Sequence, residues 1–422
     1  MTLPAARLVV LALATIAISA CVSETVRSVD MTPPQQATDS VPEGLLLDVG
    51  VGVFAANVPD DYDVQIEQNI SPEIRRAEGN FIAYTLKNML QSTGNWGAVR
   101  VVPRPTNAVD VLVGGTILNS DGARLQLEVT VMDASGSEWF KRKYESLSSK
   151  YAYDPSVPRD IDPFQSIYKQ ISDDMQAYRA NFTEADVTRI RTIAEMVFAR
   201  DFAPDAFASY VDSNKKGQIT IKRLPAPDDP MLARIQKVRE REYVFVDTLD
   251  EYFAEYQRTM YPPYQGWRQA SYEEAISYRQ LQAQARARAI AGTVALIGGI
   301  AAQASDNSTT QTAGTLGIIA GAMTIKSAFA KRAEAKIHSE VLQELGASAE
   351  ADISPHSIEL ENETVRLTGT VDAQYSELRR ILRRIYYQEL GLALPEALPE
   401  IVTETATPTP AEPASVEPVA GS

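Results

Sequence analysis

Cysteine and histidine are nearly absent from this chain, which has one cysteine, Cys21, and two histidines, His338 and His356, among 422 residues. Neither histidine has a second metal ligand at a suitable spacing, so both are predicted to lie on the surface. The GxSxG, Walker and HExxH motifs are missing as well. These absences favour a protein that is not an enzyme and that binds no metal or other cofactor.

Positive charge is also scarce, since 40 Lys and Arg residues against 55 Asp and Glu residues give a net charge of −15. Such acidity disfavours binding to nucleic acid and polybasic attraction to anionic lipid. Residues 212–223 imitate a calcium-binding EF-hand loop. They place Lys216 at a ligand position and Arg223 where the bidentate glutamate belongs, so they are predicted to form a turn.

The amino-terminal apolar run, residues 8–17, is too short to span a bilayer, which takes about 20 residues. Arg7 in front of it and small residues behind it predict a secretory signal peptide over residues 1–20. The tetrapeptide Ile-Ser-Ala-Cys at 18–21 resembles the lipobox of bacterial lipoproteins. This resemblance implies cleavage before Cys21 and acylation of its thiol, whereas the alternative is an ordinary signal peptide with a chance cysteine.

The residue after the cysteine is Val22 and not the aspartate that favours inner-membrane retention in enteric bacteria. We therefore expect a lipid-anchored protein of the outer membrane that faces the periplasm. Residues 21–43 are polar and predict a tether. Residues 395–422 contain six prolines and five glutamates but no Lys or Arg, and this composition predicts a disordered tail.

Residues 44–158 are predicted to form an α+β domain, an α/β sandwich that contains an antiparallel meander. A β-branched strand comes first, and Ser71-Pro72-Glu73 then begins an amphipathic helix. Four further strands follow, with an Asp121-Gly122 hairpin turn between the second and third of them. Between residues 124 and 132 apolar side chains alternate with polar ones, which predicts a half-buried strand.

Three features of this domain resemble a group of periplasmic domains. These features are the run Ala-Val-Asp-Val-Leu-Val-Gly-Gly at 108–115, the Asp-x-x-Gly turn at 133–136, and Trp139. The group contains the curli-export channel lipoproteins and the amino-terminal domain of the Tol translocation protein. The resemblance implies a binding and assembly module that is often oligomeric, and it assigns no catalytic residue. The chain has no counterpart of the membrane strands of the export channel.

Residues 159–270 are predicted to be helical. Thr183 and Asp186 resemble a capping box. Apolar residues from Ile235 onward fall at heptad-like spacing with Glu242 as the one violation, which predicts either a coiled-coil seam or a core helix. Pro262-Pro263 is predicted to end that helix.

A glycine- and alanine-rich helical hairpin is predicted over residues 271–346, with its first helix beginning at Ser271. Small residues recur every fourth position, a spacing that allows close helix contact. They include Ala291, Ala295, Gly299, Gly317 and Gly321. Three locations remain open for this hairpin: insertion in a membrane, burial between subunits, or burial within one chain. A small strand–strand–helix subdomain is predicted over residues 347–394.

Together these patterns predict a non-enzymatic outer-membrane lipoprotein that forms an oligomer and supports envelope assembly or export. Its expected partners are the membrane, through acylated Cys21, further copies of itself, and envelope or export machinery proteins; nucleic acid is not expected. The alternative function is that of a monomeric, tethered regulator of a periplasmic enzyme such as a cell-wall synthase.

Overall fold

The structure is a computed structural model that describes residues 32–37, 41–67, 70–154, 161–302, 356–359 and 364–392. For residues 277–302 it gives the helical backbone. The signal peptide, the carboxy-terminal tail and the second half of the predicted hairpin lie outside the described residues.

One five-stranded sheet organises the first domain. Its strands follow the order β2-β1-β3-β4-β5. The inner strand β1 is parallel to both β2 and β3, whereas β3, β4 and β5 form an antiparallel meander. The strands are β1 (Val49–Gly52), β2 (Val99–Val102), β3 (Val111–Ser120), β4 (Arg124–Asp133) and β5 (Glu138–Leu147). The predicted α+β class and the meander are confirmed.

Seven α-helices, three short 3-10 helices and two small hairpins complete the described elements. The helices are α1 (Tyr62–Glu67), α2 (Pro72–Ser92), α3 (Gln165–Arg179), α4 (Glu184–Phe202), α5 (Pro204–Phe207), α6 (Pro230–Ala302) and α7 (Val371–Glu389). The hairpins are β6–β7 (Val211–Ser213 and Ile219–Ile221) and β8–β9 (His356–Glu359 and Thr364–Leu367).

The core forms where α2 and α3 cover one face of the sheet. The alternating apolar side chains of β4 are fully buried, as their spacing predicts: Leu125, Leu127, Val129 and Val131. The capping box of α4 is also confirmed, because the Thr183 hydroxyl accepts from the Asp186 amide and the Asp186 carboxylate accepts from the Thr183 amide. The Thr183 hydroxyl also donates to the Asp186 carboxylate, and this bond, together with the bond from the Thr183 amide, lowers the pKa of Asp186.

Helix α6 corrects two predictions, since it runs 73 residues without a break through Pro262 and Pro263 and through Ser271. The prolines have no N–H for the carbonyls one turn earlier. Tertiary packing outweighs this loss because apolar side chains on both sides of the prolines are buried against α2. Ile235, Val238 and Leu249 are buried in the same core as the sheet, so this part of α6 is a core helix.

The carboxy-terminal subdomain has the predicted strand–strand–helix order. Its helix begins at Val371, five residues before the predicted start at Ser376, because the Thr370 hydroxyl accepts from the Ala373 amide and caps it. The segment imitating a calcium loop is the β6–β7 turn, in which the Asn214 side-chain oxygen accepts from the amides of Lys216 and Gln218. The prediction of a turn is therefore confirmed.

Candidate functional site

The residues that the sequence singled out are only partly described by the structure. Cys21, Gly317 and Gly321 lie outside the described residues. Ala291, Ala295 and Gly299 belong to the last part of α6, residues 277–302, for which the structure gives the helical backbone. The candidate site therefore comprises the two ends of the sheet, where the segments leading to these residues enter and leave the domain.

The predicted tether is fixed to one end of the sheet, which we call the tether end. The Gln35 amide donates to Asp173 Oδ1 over 2.8 Å, and the Asn95 side chain donates to the Gln35 carbonyl over 2.7 Å. The Ala37 amide donates to the carbonyl of Thr93, which follows the last turn of α2. Ten residues lie between Cys21 and Thr32, so the two residues can be at most about 40 Å apart, and an anchor at Cys21 would keep this end close to its membrane.

The Asp-x-x-Gly turn at 133–136 belongs to the same end, because Asp133 pairs with Val111 and Val111 pairs with Val49 at the start of β1. Asp133 accepts from the Ser135 amide at 2.8 Å and from the Trp139 indole at 2.8 Å. Trp139 lies 6.2 Å from Trp96, between their ring centroids. The aspartate and tryptophan of the motif therefore hold the turn and join it to the segment that binds the tether.

Hairpin β6–β7 is docked on this turn. The Ile219 amide donates to the Ser135 carbonyl over 2.7 Å. Gly136, at φ +74, approaches the Gly217 carbonyl so closely that a Cβ there would clash with it. Because Gly136 needs both a positive φ and this close contact, the glycine of the motif fixes where the hairpin sits.

Two aspartates also mark the tether end, Asp110, which is buried, and Asp48, which is partly buried. Asp110 Oδ2 accepts from the Asp48 amide at 2.9 Å, and Asp48 Oδ1 accepts from the Ala98 amide at 2.9 Å. Burial raises the pKa of Asp110 to about 6, against the opposing effects of the Asp48 amide and of Arg239. The folded chain therefore binds this proton more tightly than the unfolded chain does, and this carboxyl contributes less stability as the pH rises from about 4 to about 6.

At the opposite end of the sheet, which we call the exit end, α6 crosses the β3–β4 turn. Gly122, at φ +74, lies so close to the Arg268 carbonyl and the Tyr272 amide that a Cβ would clash with both. The hydroxyls of Ser148 and Tyr153 donate to the Gly122 carbonyl. The ten residues of β4 separate the two ends by about 33 Å, so α6 leaves the domain far from the tether.

Two buried charge clusters hold α6 at the exit end. In the first, Glu78 is fully buried, accepts from the hydroxyls of Ser120 and Tyr264, and lies 3.3 Å from Arg75 Nε. In the second, the fully buried Arg268 donates to Asp162 over 2.7 Å and lies 3.8 Å above the centre of the Tyr264 ring. Burial raises the pKa of Tyr264 well above its usual value, so the phenol remains a donor.

A third buried cluster joins α6 to the carboxy-terminal helix. Glu242, fully buried, accepts from the Thr106 hydroxyl at 3.2 Å and from the Tyr375 hydroxyl at 2.5 Å. Its second oxygen lies 3.4 Å from Arg379 Nε. Glu242 thus connects the loop after β2, the long helix and α7.

A cavity of about 300 Å³ lies where β1, α2, α6 and α7 meet. Apolar side chains form most of its wall, and its charged lining residues are Arg76 and Asp372. Arg76 lies 3.6 Å from Glu73, and Asp372 pairs with Arg104. Both charges therefore have partners on the protein, and we interpret the cavity as a gap in the packing of four elements.

Within the part of the chain that the structure describes, no three His, Cys, Asp or Glu side chains are grouped to hold a metal ion. Across the same residues, no helix has the length and apolarity that a bilayer crossing requires.

The buried charges were missed by the sequence analysis, although one signal could have found Arg268. The apolar residues Tyr256, Met260 and Tyr264 recur every fourth position, and Arg268 continues that stripe. Glu242 interrupts a similar stripe, and its partner Tyr375 is 133 residues away.

No family model, no curated protein and no solved structure matches this chain.

Proposed function

We propose that this chain is a non-enzymatic outer-membrane lipoprotein that faces the periplasm and forms an oligomeric structural component of envelope assembly or export. The observation that carries the proposal is the separation of its two ends. The tether that leads to Cys21 docks at one end, and α6 leaves from the other. The 26 residues of α6 after Ile276 extend it by about 39 Å.

This arrangement supports an assembly role, because the domain acts as a spacer. It places the stretch of α6 backbone that contains Ala291, Ala295 and Gly299 away from the anchored end, and small residues at this spacing allow close contact between helices. The proposal also draws on the resemblance of residues 108–115, 133–136 and Trp139 to the curli-export and Tol domains. The regulator of a periplasmic enzyme remains the second candidate, since a long helix could also reach such a partner.

Lipidation is tested by Cys21→Ser. We expect complete loss of fatty-acid label from the protein, because the acyl acceptor is a thiol and Cys21 is the sole cysteine. The measurement is metabolic labelling with a fatty-acid probe. Ser19→Ala keeps a small residue before the cleavage site and should retain the label. A labelled Cys21→Ser protein would contradict acylation at this position.

Oligomer formation is tested by Gly317→Leu with Gly321→Leu. The added side chains would occupy the space that close helix contact requires, and overpacking costs about 1–3 kcal/mol per site. We expect the detergent-extracted protein to fall from an oligomer to a smaller species, measured by light scattering after gel filtration. Thr315→Leu with Ile319→Leu places leucines on the other side of the predicted helix and should leave the mass unchanged.

The two candidate functions give different masses in the same experiment. A wild-type protein that is strictly monomeric in detergent would refute the oligomeric component and favour the tethered regulator. An oligomer that persists in the Gly317→Leu, Gly321→Leu protein would show that the small-residue spacing does not mediate association.

A further inference from the structure

The β6–β7 hairpin with its flanking residues, 209–224, is a basic surface on an acidic protein. It contains Lys215, Lys216, Lys222 and Arg223 and a single carboxylate, Asp212. Four positive charges and one negative charge give the segment a net charge of +3, whereas the whole chain carries −15. We call these residues the basic hairpin.

The charges of the basic hairpin face solvent. Lys215 and Lys216 are exposed at the turn, and neither forms a salt bridge with any residue that the structure describes. Lys222 lies 3.3 Å from Asp212, and both side chains are more than half exposed. Arg223 is oriented by a 2.8 Å hydrogen bond to the Ser209 hydroxyl, with its guanidinium 4.4 Å above the centre of the Tyr210 ring.

An exposed apolar side chain follows these cations, since Leu224 is 59% exposed. Cations beside an exposed leucine are suited to the interface of a bilayer, where ammonium and guanidinium groups meet phosphates and the leucine enters the acyl boundary.

The fold places the basic hairpin at the tether end. Ser135 binds the hairpin backbone, Asp133 binds Trp139, and Trp139 packs near Trp96, which directly follows the tether-binding Asn95. The segment that leads to Cys21 and the basic hairpin are therefore presented on the same side of the molecule, about 33 Å from the exit end.

We propose that the basic hairpin binds the anionic phospholipid headgroups of the membrane to which Cys21 anchors the chain, with Leu224 entering the interface. This inference rests on the lipid anchor of the proposed function. The net charge of −15 disfavours attraction of the whole chain to anionic lipid, but the basic hairpin acts locally, because charges more than about 8–10 Å apart are screened at physiological salt. Contact at a second point orients the domain, so that α6 points away from the bilayer.

The test uses the mature chain, residues 21–422, carrying Cys21→Ser, so that no acyl chain contributes to binding. Co-flotation is measured with vesicles of phosphatidylcholine and phosphatidylglycerol at 3:1 and with vesicles of phosphatidylcholine alone. Each cation near an anionic surface raises the partition coefficient between water and membrane about fivefold. Lys215→Gln with Lys216→Gln should therefore weaken binding to the anionic vesicles by about 25-fold.

The matched control is Lys143→Gln with Arg258→Gln, which removes two exposed cations from other surfaces. It should bind as the unsubstituted protein does, and binding of both should fall as NaCl rises from 50 to 500 mM. The proposal would be overturned if the two double variants bound the anionic vesicles equally. It would also be overturned if the unsubstituted protein bound neutral and anionic vesicles equally, or if it bound neither. Fatty-acid labelling of the Cys21 protein reports the anchor separately, so either idea can fail alone.

Discussion

Replacing Glu242 by methionine is expected to lower the free energy of unfolding by about 3–5 kcal/mol. The substitution would leave the Arg379 guanidinium, which is 7% exposed, without the carboxylate that now lies 3.4 Å away. The hydroxyls of Thr106 and Tyr375 would lose their acceptor as well. The measurement is denaturant unfolding of the Cys21→Ser protein followed by tryptophan fluorescence.

A double-mutant cycle isolates the ion pair in this expected loss. Arg379→Met alone should destabilise the chain to a similar extent, since it leaves Glu242 charged in an apolar site. Glu242→Met combined with Arg379→Met should recover most of the stability, because a methionine pair fills the space without a buried charge. Glu240→Met, two residues earlier on the same helix and exposed, should change stability by less than about 0.5 kcal/mol. If the double variant is as unstable as the sum of the single variants, the two side chains do not interact.

The Glu242 cluster shows what local patterns could predict. Alternation in β4, the cap at Thr183 and the turn at Asp121-Gly122 each depend on residues within about ten positions. The sequence therefore predicted those elements close to their observed bounds. The heptad-like spacing correctly indicated that Val238 and Leu249 are buried, but it treated Glu242 as a violation, because Tyr375 and Arg379 belong to a distant element.

The remaining features depend on tertiary contacts that no short window contains. Pro262 and Pro263 predict a helix end because they lack amide hydrogens. The helix continues because Tyr256, Met260 and Tyr264 pack on α2, which lies more than 160 residues earlier in the chain. The parallel pairing of β1 with two strands likewise required knowledge of the crossover through α2. The position of the basic hairpin beside the tether follows only from the docking of Ser135 on Ile219.

Replacing Arg268 by methionine should cost a similar 3–5 kcal/mol and should act at the exit end. Arg268 is fully buried, and its guanidinium donates to Asp162 and stacks on the rings of Tyr264 and Phe164. Methionine would retain much of the packing but leave the Asp162 carboxylate without its cation. Arg268→Lys should give an intermediate loss, because an ammonium keeps the charge but lacks the planar face that stacks on Tyr264.

Arg258→Met is the matched control, since Arg258 lies on the same helix with its side chain 72% exposed and should change stability by less than about 0.5 kcal/mol. Hydrogen exchange would locate the effect, with faster exchange in α6 around Tyr264 and in the β3–β4 turn, and unchanged exchange at the tether end. If Arg268→Met is as stable as Arg258→Met, then Arg268 does not hold α6 on the domain. The orientation of the helix relative to the anchor would in that case depend on the hydrogen bond from Tyr264 to Glu78 and on the apolar contacts with α2.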